Sequence, residues 1–262
     1  MRLPHQHTDF TELRTAVSRL LGACATGGQF IKTGILGGLN LFSPLVEFAE
    51  KIRYFGLPEP IRTVRRHSLL TYLNLFFLQE LSRRLEVTGT PGDFVECGVY
   101  RGGSAGVLAH AAMRSRFHRK LWLYDAFAGM PPANAEKDDD HSREIEGKFV
   151  GSERQTRRIL RRLSIPENRF SVSKGWFEQT LPLSPVQSVS LLHVDCDFYD
   201  PVKMVLETFY PRLEPGGFVV LNDYGSFQGC RTATDEFLEN IAHPGTPIQV
   251  DLDAFYFQKP RV

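Results

Sequence analysis

The sequence is short of most features that mark special classes of protein. It has four cysteines in 262 residues, Cys24, Cys97, Cys196 and Cys230, and no two form a CxxC pair. A chain this long and this poor in cysteine is not a disulfide scaffold, and reduced thiols are expected. Neither charge dominates: 31 lysines and arginines face 30 aspartates and glutamates, a formal net charge of +1. That balance gives no basis for nucleic acid or an anionic membrane as the main partner. The best candidate for a membrane span, LLGACATGGQFIKTGILGGLNLF, is broken by glycines and by Lys32. The first stretch, MRLPHQHTDFTELRTAVSRL, lacks the apolar core of a signal peptide, so a cytoplasmic protein is expected. There is no internal repeat, no low-complexity tract, no GxGxxG dinucleotide fingerprint and no GK[ST] of a P-loop.

What is present suffices for one large α/β domain with an appendage. Residues 1–58 read as a helical N-terminal arm. In it FTELRTAVSRLLGA repeats apolar positions at helical spacing, and Gly-rich and Pro-rich pieces follow as far as GLPEP. The apolar pieces of this arm fit self-association, so a homo-oligomer is among the expected states. The domain proper is expected over residues 59–262. SLLTYLNLFFLQELSRRLEV reads as a buried helix stopped by TGTPGD. From Asp93 onward strands alternate with helices: DFVECGV, KLWLYD, RFSVSKG, VSLLHVDC and GGFVVLND against SAGVLAHAAMR, GSERQTRRILRRL, VKMVLETFYPRL and TATDEFLENI. Several of these strands are apolar throughout, which is the pattern of a doubly wound parallel sheet covered on both faces. The closing segment PIQVDLDAFYFQKP holds two short strands close enough to pair as an antiparallel hairpin. Residues from about 130 to 152 are polar and weakly patterned, and a connection of that length reads as a lid.

VECGVYRGGSAGVLA follows the first strand and opens a helix. Gly98, Gly102 and Gly103 permit a tight turn and close approach of a ligand to the backbone, and Ser104 can cap the helix. Glu96 puts a carboxylate beside the loop, which repels phosphate and attracts an ammonium group such as that of S-adenosylmethionine. A plain strand-to-helix turn is the alternative. Asp125 ends the second strand, 29 residues past Glu96 and close to one βαβ unit on. An acid there suits ribose hydroxyls, with a turn cap as the alternative.

The fourth and fifth strands also run into acids. HVDCDFYDP carries Asp195, Asp197 and Asp200, and GGFVVLNDY carries Asn222 and Asp223. Parallel neighbours bring these ends to one edge of the sheet, beside the glycine loop, where doubly wound sheets bind ligands. Oxygen donors without nitrogen or sulfur favour Mg²⁺ or a similar hard cation, against the alternative of a solvated edge. Asp200 is read as the N-cap of the next helix, with Pro201 at its first position. Phe198 and Tyr199 are candidates to wall the cavity. His193 is read as a satisfied core histidine, and His141 as a solvated loop histidine with a substrate contact or base as the alternative. Cys97 and Cys196 are read as small apolar fillers, and Cys230 and Arg231 as undecided neighbours of the substrate.

Five segments in order resemble the macrocin O-methyltransferase family: DFVECGVYRGGS, LWLYDAFAGMP, KGWFEQTLP, HVDCDFYDP and YPRLEPGGFVVLNDYGSFQGCRTATDEF. The likeness covers about Pro91 to Lys259, with a weaker helical likeness from about Ile61. It implies a class I methyltransferase fold, Rossmann-like, with a mostly parallel seven-stranded sheet. It also implies a Mg²⁺-dependent O-methyltransferase that uses S-adenosylmethionine on a hydroxyl of a sugar or other natural product. In that frame Glu96, Gly98 and Ser104 contact the methionine part of the cofactor and Asp125 its ribose. Gly102, Phe127, Lys174 and Trp176 complete the expected cofactor set, with KGWFEQTLP bordering the adenine. Asp195, Asn222 and Asp223 bind Mg²⁺, and Asp197 matches the general base. Family members more often carry two acids where this chain has Asn222-Asp223, so one negative charge is missing from the metal set. Two other classes compete: a metal-dependent glycosyltransferase, whose DxD site HVDCD also resembles, and a non-catalytic protein on a methyltransferase fold.

Overall fold

A computed structural model describes residues 59–243 and 245–261. The arm expected over residues 1–58 lies outside the described residues, and with it the helical reading of FTELRTAVSRLLGA, Cys24 and the self-association expected of the arm. In chain order the elements are α1 (Ile61–Val64), α2 (Tyr72–Thr88), β1 (Asp93–Cys97), α3 (Gly103–Met113), β2 (Leu121–Asp125), α4 (Asp140–Glu144) and α5 (Glu153–Arg162). There follow β3 (Phe170–Lys174), α6 (Phe177–Thr180), β4 (Val189–Val194), α7 (Tyr199–Phe209), β5 (Leu213–Leu221), α8 (Gln228–Asn240), β6 (Ile248–Gln249) and β7 (Phe255–Gln258).

The seven strands form one sheet in the order β3-β2-β1-β4-β5-β7-β6. The first five run parallel. β7 lies antiparallel to both β5 and β6, so the expected terminal hairpin is present with β7 inserted between its neighbours. Alternation sends Val95, Cys97, Leu192, Val194, Val219 and Leu221 to one face, where they pack with Val202, Val205, Leu206 and Phe209 of α7 and Ala233 and Phe237 of α8. Phe94, Glu96, Leu191, His193, Phe218 and Val220 take the other face. There Phe77 of α2 meets Tyr256 with ring centroids 5.0 Å apart, and Tyr256 meets Phe218 at 6.3 Å. Cover on both faces is why all six residues of VSLLHV in β4 are buried. No helix among the described residues is long and apolar enough to cross a membrane.

Local chemistry sets most element ends. The Thr71 hydroxyl accepts from the Asn74 N–H at the start of α2, and Gly89 closes the helix in the left-handed region at φ 71°. α5 buries Thr156, Ile159 and Leu160, while Arg157 on its outer side pairs with Glu153 and Glu167. Beneath the sheet, the fully buried Arg119 donates to the Glu86 carboxylate at 2.8 Å, to Ser190 Oγ at 2.6 Å and to the Thr90 carbonyl at 2.6 Å. It also donates to the Gly92 carbonyl, and so satisfies two backbone oxygens at once.

Two expected caps are corrected. Asp200 does not cap α7, because the helix starts two residues earlier than expected, at Tyr199 behind Phe198, and Asp200 is already inside the first turn. The Tyr199 N–H is taken instead by Asp138 Oδ1 at 3.0 Å, and Asp200 accepts from Asn134 Nδ2 at 3.0 Å. Ser104 does not cap α3, because left-handed Gly102 holds the cap position and Ser104 is already inside the first turn. The segment expected as a lid is tied to the domain through these contacts and through a Lys137–Glu236 ion pair at 2.6 Å. Gly229 of α8 leaves the room that Asp138 fills, since a Cβ there would fall 1.7 Å from Asp138 Oδ1.

Candidate active site

The C-terminal ends of β1, β2, β4 and β5 open on a cavity of about 390 Å³, a size suited to a small molecule. Gly98, Ser104, Asp125, Trp176, Asp195, Asp197, Asn222 and Asp223 all line it. Four expected cofactor residues are not on its wall. Glu96 is fully buried on the α2 face of the sheet, where Oε1 bonds His193 Nδ1 at 3.0 Å and Oε2 has no partner among the described residues. Gly102 faces Thr156, whose Cα would lie 2.8 Å from an added Cβ. Phe127 is buried, with its N–H held by Asp125 Oδ1 at 2.5 Å. Lys174 is exposed at the end of β3, in register with Asp125.

The glycine loop is built against the end of β4. Gly98 has φ 88°, and a Cβ there would fall 1.7 Å from the Asp195 carbonyl oxygen, so only glycine lets β1 and β4 close at this point. Asp125 Oδ2 accepts from the N–H groups of Val99 at 2.6 Å and Tyr100 at 2.8 Å. Asp125 therefore shapes the loop from one side while facing the cavity, and the two alternatives raised for it, turn cap and ligand contact, are compatible.

The acids meet beyond the strands. β4 ends at Val194, and the Phe198 N–H then donates to the Cys196 carbonyl at 2.6 Å across a three-residue turn. Asp197 sits at the tip of that turn with φ 56°, a left-handed conformation that aspartate tolerates better than most residues. Its backbone N–H donates to Asp223 Oδ2 at 3.3 Å. Asn222 Nδ2 donates to Asp195 Oδ1 at 2.9 Å and to Asp223 Oδ1 at 3.2 Å, and its Oδ1 accepts from Asn74 Nδ2 at 2.5 Å.

Among the described residues, no lysine or arginine stands on the cavity wall to offset these charges. Burial pushes the Asp195 carboxyl up to about 7, with His193 pulling against it and Asp197 and Glu96 adding to it. Burial likewise pushes Asp197 up to about 6, against a hydrogen bond from Asp223 and the charge of His141. Asp223 goes well above the carboxylate range through burial and the charges of Asp197 and Asp195. Burial opposes a charged His193, but the Glu96 hydrogen bond and charge outweigh it and raise the imidazole.

Crowded, oxygen-only and uncompensated, this donor set fits a hard divalent cation in its chemistry. No three His, Cys, Asp or Glu side chains among the described residues already close around one point. The amide nitrogen of Asn222, rather than its oxygen, stands between Asp195 and Asp223.

Two residues of this site, Asn74 and Asp138, were not singled out for their place in it, and His141 was raised there only as an alternative. Asn74 lies 148 positions before its partner, in a helix whose sequence reads only as core. Asp138 was one acid in a polar run. His141 is exposed, as the solvated reading expects, and it also stacks on Phe227, a wall residue, at 5.5 Å and 27°, with its charge acting on Asp197. The cysteines behave as fillers: burial pushes the thiols of Cys97, Cys196 and Cys230 well above the ordinary range. Cys230 belongs to the core rather than the cavity wall, and Arg231 donates to the carbonyls of Tyr224 and Gly225.

A sheet of this order, with a glycine loop after its first strand and acids at the ends of its fourth and fifth, defines a class I methyltransferase. The chain belongs to the macrocin O-methyltransferase family (TylF), whose pattern matches residues 47–259 and so reaches into the arm, where no likeness was expected. Over 222 residues it is 28% identical to the demethyldecarbamoylnovobiocin O-methyltransferase of Streptomyces niveus, covering 82% of each chain. Over 180 residues it is 33% identical to the 8-demethyl-8-(2,3-dimethoxy-α-L-rhamnosyl)-tetracenomycin-C 4'-O-methyltransferase of Streptomyces olivaceus, covering 65% of this chain and 67% of that one. The solved structure of the O-methyltransferase NovP superposes with a TM-score of 0.67 at 27% identity, over 74% of this chain and 83% of that one. The protein is accordingly an O-methyltransferase, and the glycosyltransferase alternative is set aside.

Proposed function

We propose that this O-methyltransferase uses S-adenosylmethionine and Mg²⁺ to methylate a hydroxyl of a sugar or sugar-bearing natural product. The observation that carries the reading is one cavity that joins a glycine loop at β1 to three crowded, uncompensated carboxylates at β4 and β5. When bound, the cofactor supplies a methyl group on a sulfonium and Mg²⁺ supplies a Lewis acid near the acceptor oxygen. Gly98 and Ser104 receive the methionine part, Asp125 the ribose, and Trp176 with Lys174 the adenine end. Glu96, Gly102 and Phe127 support the loop from behind. Asp195, Asn222 and Asp223 hold the cation. Asp197 accepts the hydroxyl proton on a carboxylate oxygen, a transfer worth about 10²–10⁴-fold.

The acceptor is neutral. Asp197, Asp223 and Asp253 line the cavity with no lysine or arginine beside them among the described residues, which disfavours a substrate carrying phosphate. Leu69 and Phe149, 65% and 47% exposed, stand on the same wall and offer apolar contact to a ring. The name of the Streptomyces olivaceus relative, a 4'-O-methyltransferase of a rhamnosyl compound, supports a sugar hydroxyl. In this reading the protein works in the cytoplasm on a small-molecule acceptor, not on nucleic acid.

Calorimetric titration with S-adenosylhomocysteine, in Mg²⁺ and again in EDTA, tests the cofactor pocket. Binding in both conditions is expected. No binding in either overturns the assignment of the cofactor to this cavity.

A further inference from the structure

Asn222 is the one side chain of the acid edge that is not acidic, and the acids alone do not set its orientation. Its Nδ2 faces Asp195 and Asp223, and its Oδ1 is held by Asn74 Nδ2 at 2.5 Å. So turned, the amide gives N–H groups to two carboxylates and offers no oxygen between them. A half turn of the amide exchanges oxygen and nitrogen in the same space. That turn needs a matching change behind it, because Asn222 Nδ2 then points at position 74 and requires an acceptor there.

Asn74 can supply one. It is a second primary amide, 2% exposed, and its Oδ1 has no partner among the described residues. A half turn of its own brings that oxygen to Asn222. The backbone beneath it is fixed: the Asn74 N–H donates to Thr71 Oγ1 at 3.1 Å, and Thr71 Oγ1 donates to Asp251 Oδ2 at 2.7 Å. Only the two amides have to move.

We infer that Asn74 is a positioning residue whose amide turns together with that of Asn222, and that the paired turn decides whether N–H or C=O faces Asp195 and Asp223. With N–H inward the acid edge is hydrogen-bonded without a cation. With C=O inward, Asp195, Asn222 and Asp223 present three oxygen donors, two carboxylates and one amide carbonyl, to a divalent cation. The inference rests on the Mg²⁺ reading above. An acid at position 222 has only the second state, since a carboxylate carries no N–H.

The test is Mg²⁺ titration of the full chain labelled with ¹⁵N-asparagine, followed by nuclear magnetic resonance, with affinities from calorimetry. The Asn222 side-chain signals are assigned by their loss in Asn222→Asp. In the wild type, Mg²⁺ should shift these signals as the hydrogens leave the two carboxylates for Asn74. Asn74→Leu gives the turned amide no acceptor, so the signals should stay in place and Mg²⁺ affinity should fall about tenfold or more. Asn74→Asp can only accept, so the signals should stand at their Mg²⁺-bound position before any cation is added, with affinity restored. Thermal melting checks that both variants fold, and if the leucine variant does not, the aspartate variant decides alone. Mg²⁺ binding with unmoved Asn222 signals, or Asn74→Leu binding as tightly as wild type, overturns the inference and leaves the cation reading standing. No Mg²⁺ binding to any form overturns both.

Discussion

Raising the pH from 5 to 8 in EDTA should destabilise the protein, and breaking the acid edge should remove most of that loss. The Asp195 carboxyl is ordinarily at 3.8 and stands at about 7 in the folded chain. The unfolded chain has therefore given up this proton by pH 5, while the folded chain keeps it until about pH 7. A raised carboxyl contributes stability that is complete below its unfolded value and is lost as pH rises through its folded value. At pH 5 roughly 2 pH units of that difference remain, which is about 3 kcal/mol. Asp197, raised to about 6, titrates in the same window. The two interact, so their contributions do not add, and each keeps part of its surface open to the cavity, where solvent weakens the effect. After that discount the expected loss is about 2 kcal/mol, or a fall in Tm of roughly 4–8 °C for a domain of this size. Other groups frame the window. Glu80 and Glu86, held low by their arginine partners in spite of burial, finish titrating below it. His67 and His110, lowered by burial and by neighbouring arginines, work in the opposite direction, and His193 works in the same one. The comparison that isolates the acids is urea unfolding of wild type and Asp195→Asn at several pH values in EDTA. Asp195→Asn should show the smaller loss. Parallel curves, or a wild type that gains stability through this window with the variant, refute the reasoning. Mg²⁺ at about a hundred times its Kd should return about 2.7 kcal/mol to the wild type at pH 8.

Gly98→Ala should abolish S-adenosylhomocysteine binding in calorimetry. Its Cβ would lie 1.7 Å from the Asp195 carbonyl at φ 88°, a strain of about 3 kcal/mol or more, and retained affinity would show that this loop is not the cofactor cradle. Arg119→Leu should cost about 3–5 kcal/mol in urea unfolding, because the carbonyls of Thr90 and Gly92 and the Glu86 carboxylate lose their donor together; a cost under about 1 kcal/mol contradicts the accounting. Asp197→Asn should keep cofactor-product binding and lose about 10²–10⁴-fold in turnover of a glycosylated acceptor, and unchanged turnover removes Asp197 as the base.

How much of this was legible in the sequence differs by element. The five parallel strands were readable because a strand buried on both faces is apolar throughout, as VSLLHV is. The place of β7 between β5 and β6 was not, since two short strands say that they pair but not where they insert. Helix starts failed where the cap came from elsewhere. Asp200 before Pro201 has every local mark of an N-cap, yet Asp138, 61 residues away, takes the Tyr199 N–H. α4 and α6 escaped notice because five and four residues hold too little of a helical period. Within the site, acids at the ends of apolar strands announced themselves. Glu96 was placed on the right strand, but its pairing with His193 depends on the β1–β4 register, which composition does not carry.

Position 222 shows what charge counting leaves out. Counted as charge, Asn222 is a ligand set one acid short. Among the described residues, however, no lysine or arginine on the cavity wall offsets Asp195, Asp197 and Asp223, so beyond the nearby His193 and His141 the offset falls to protons, N–H groups or a cation. The raised carboxyls supply the first, and Asn222 Nδ2 supplies the second. A carboxylate at 222 would add a fourth acid and remove the N–H donor, leaving the edge dependent on protons and cation alone. Asn222→Asp should therefore bind Mg²⁺ more tightly than wild type in calorimetry, yet unfold at lower urea in EDTA at pH 8, where a half-buried fourth acid meets Asp195 and Asp223 without the N–H groups that joined them. A variant that gains cation affinity without losing stability in EDTA would mean that the amide does not hold the acids together, and that Asn222 is simply a weaker ligand.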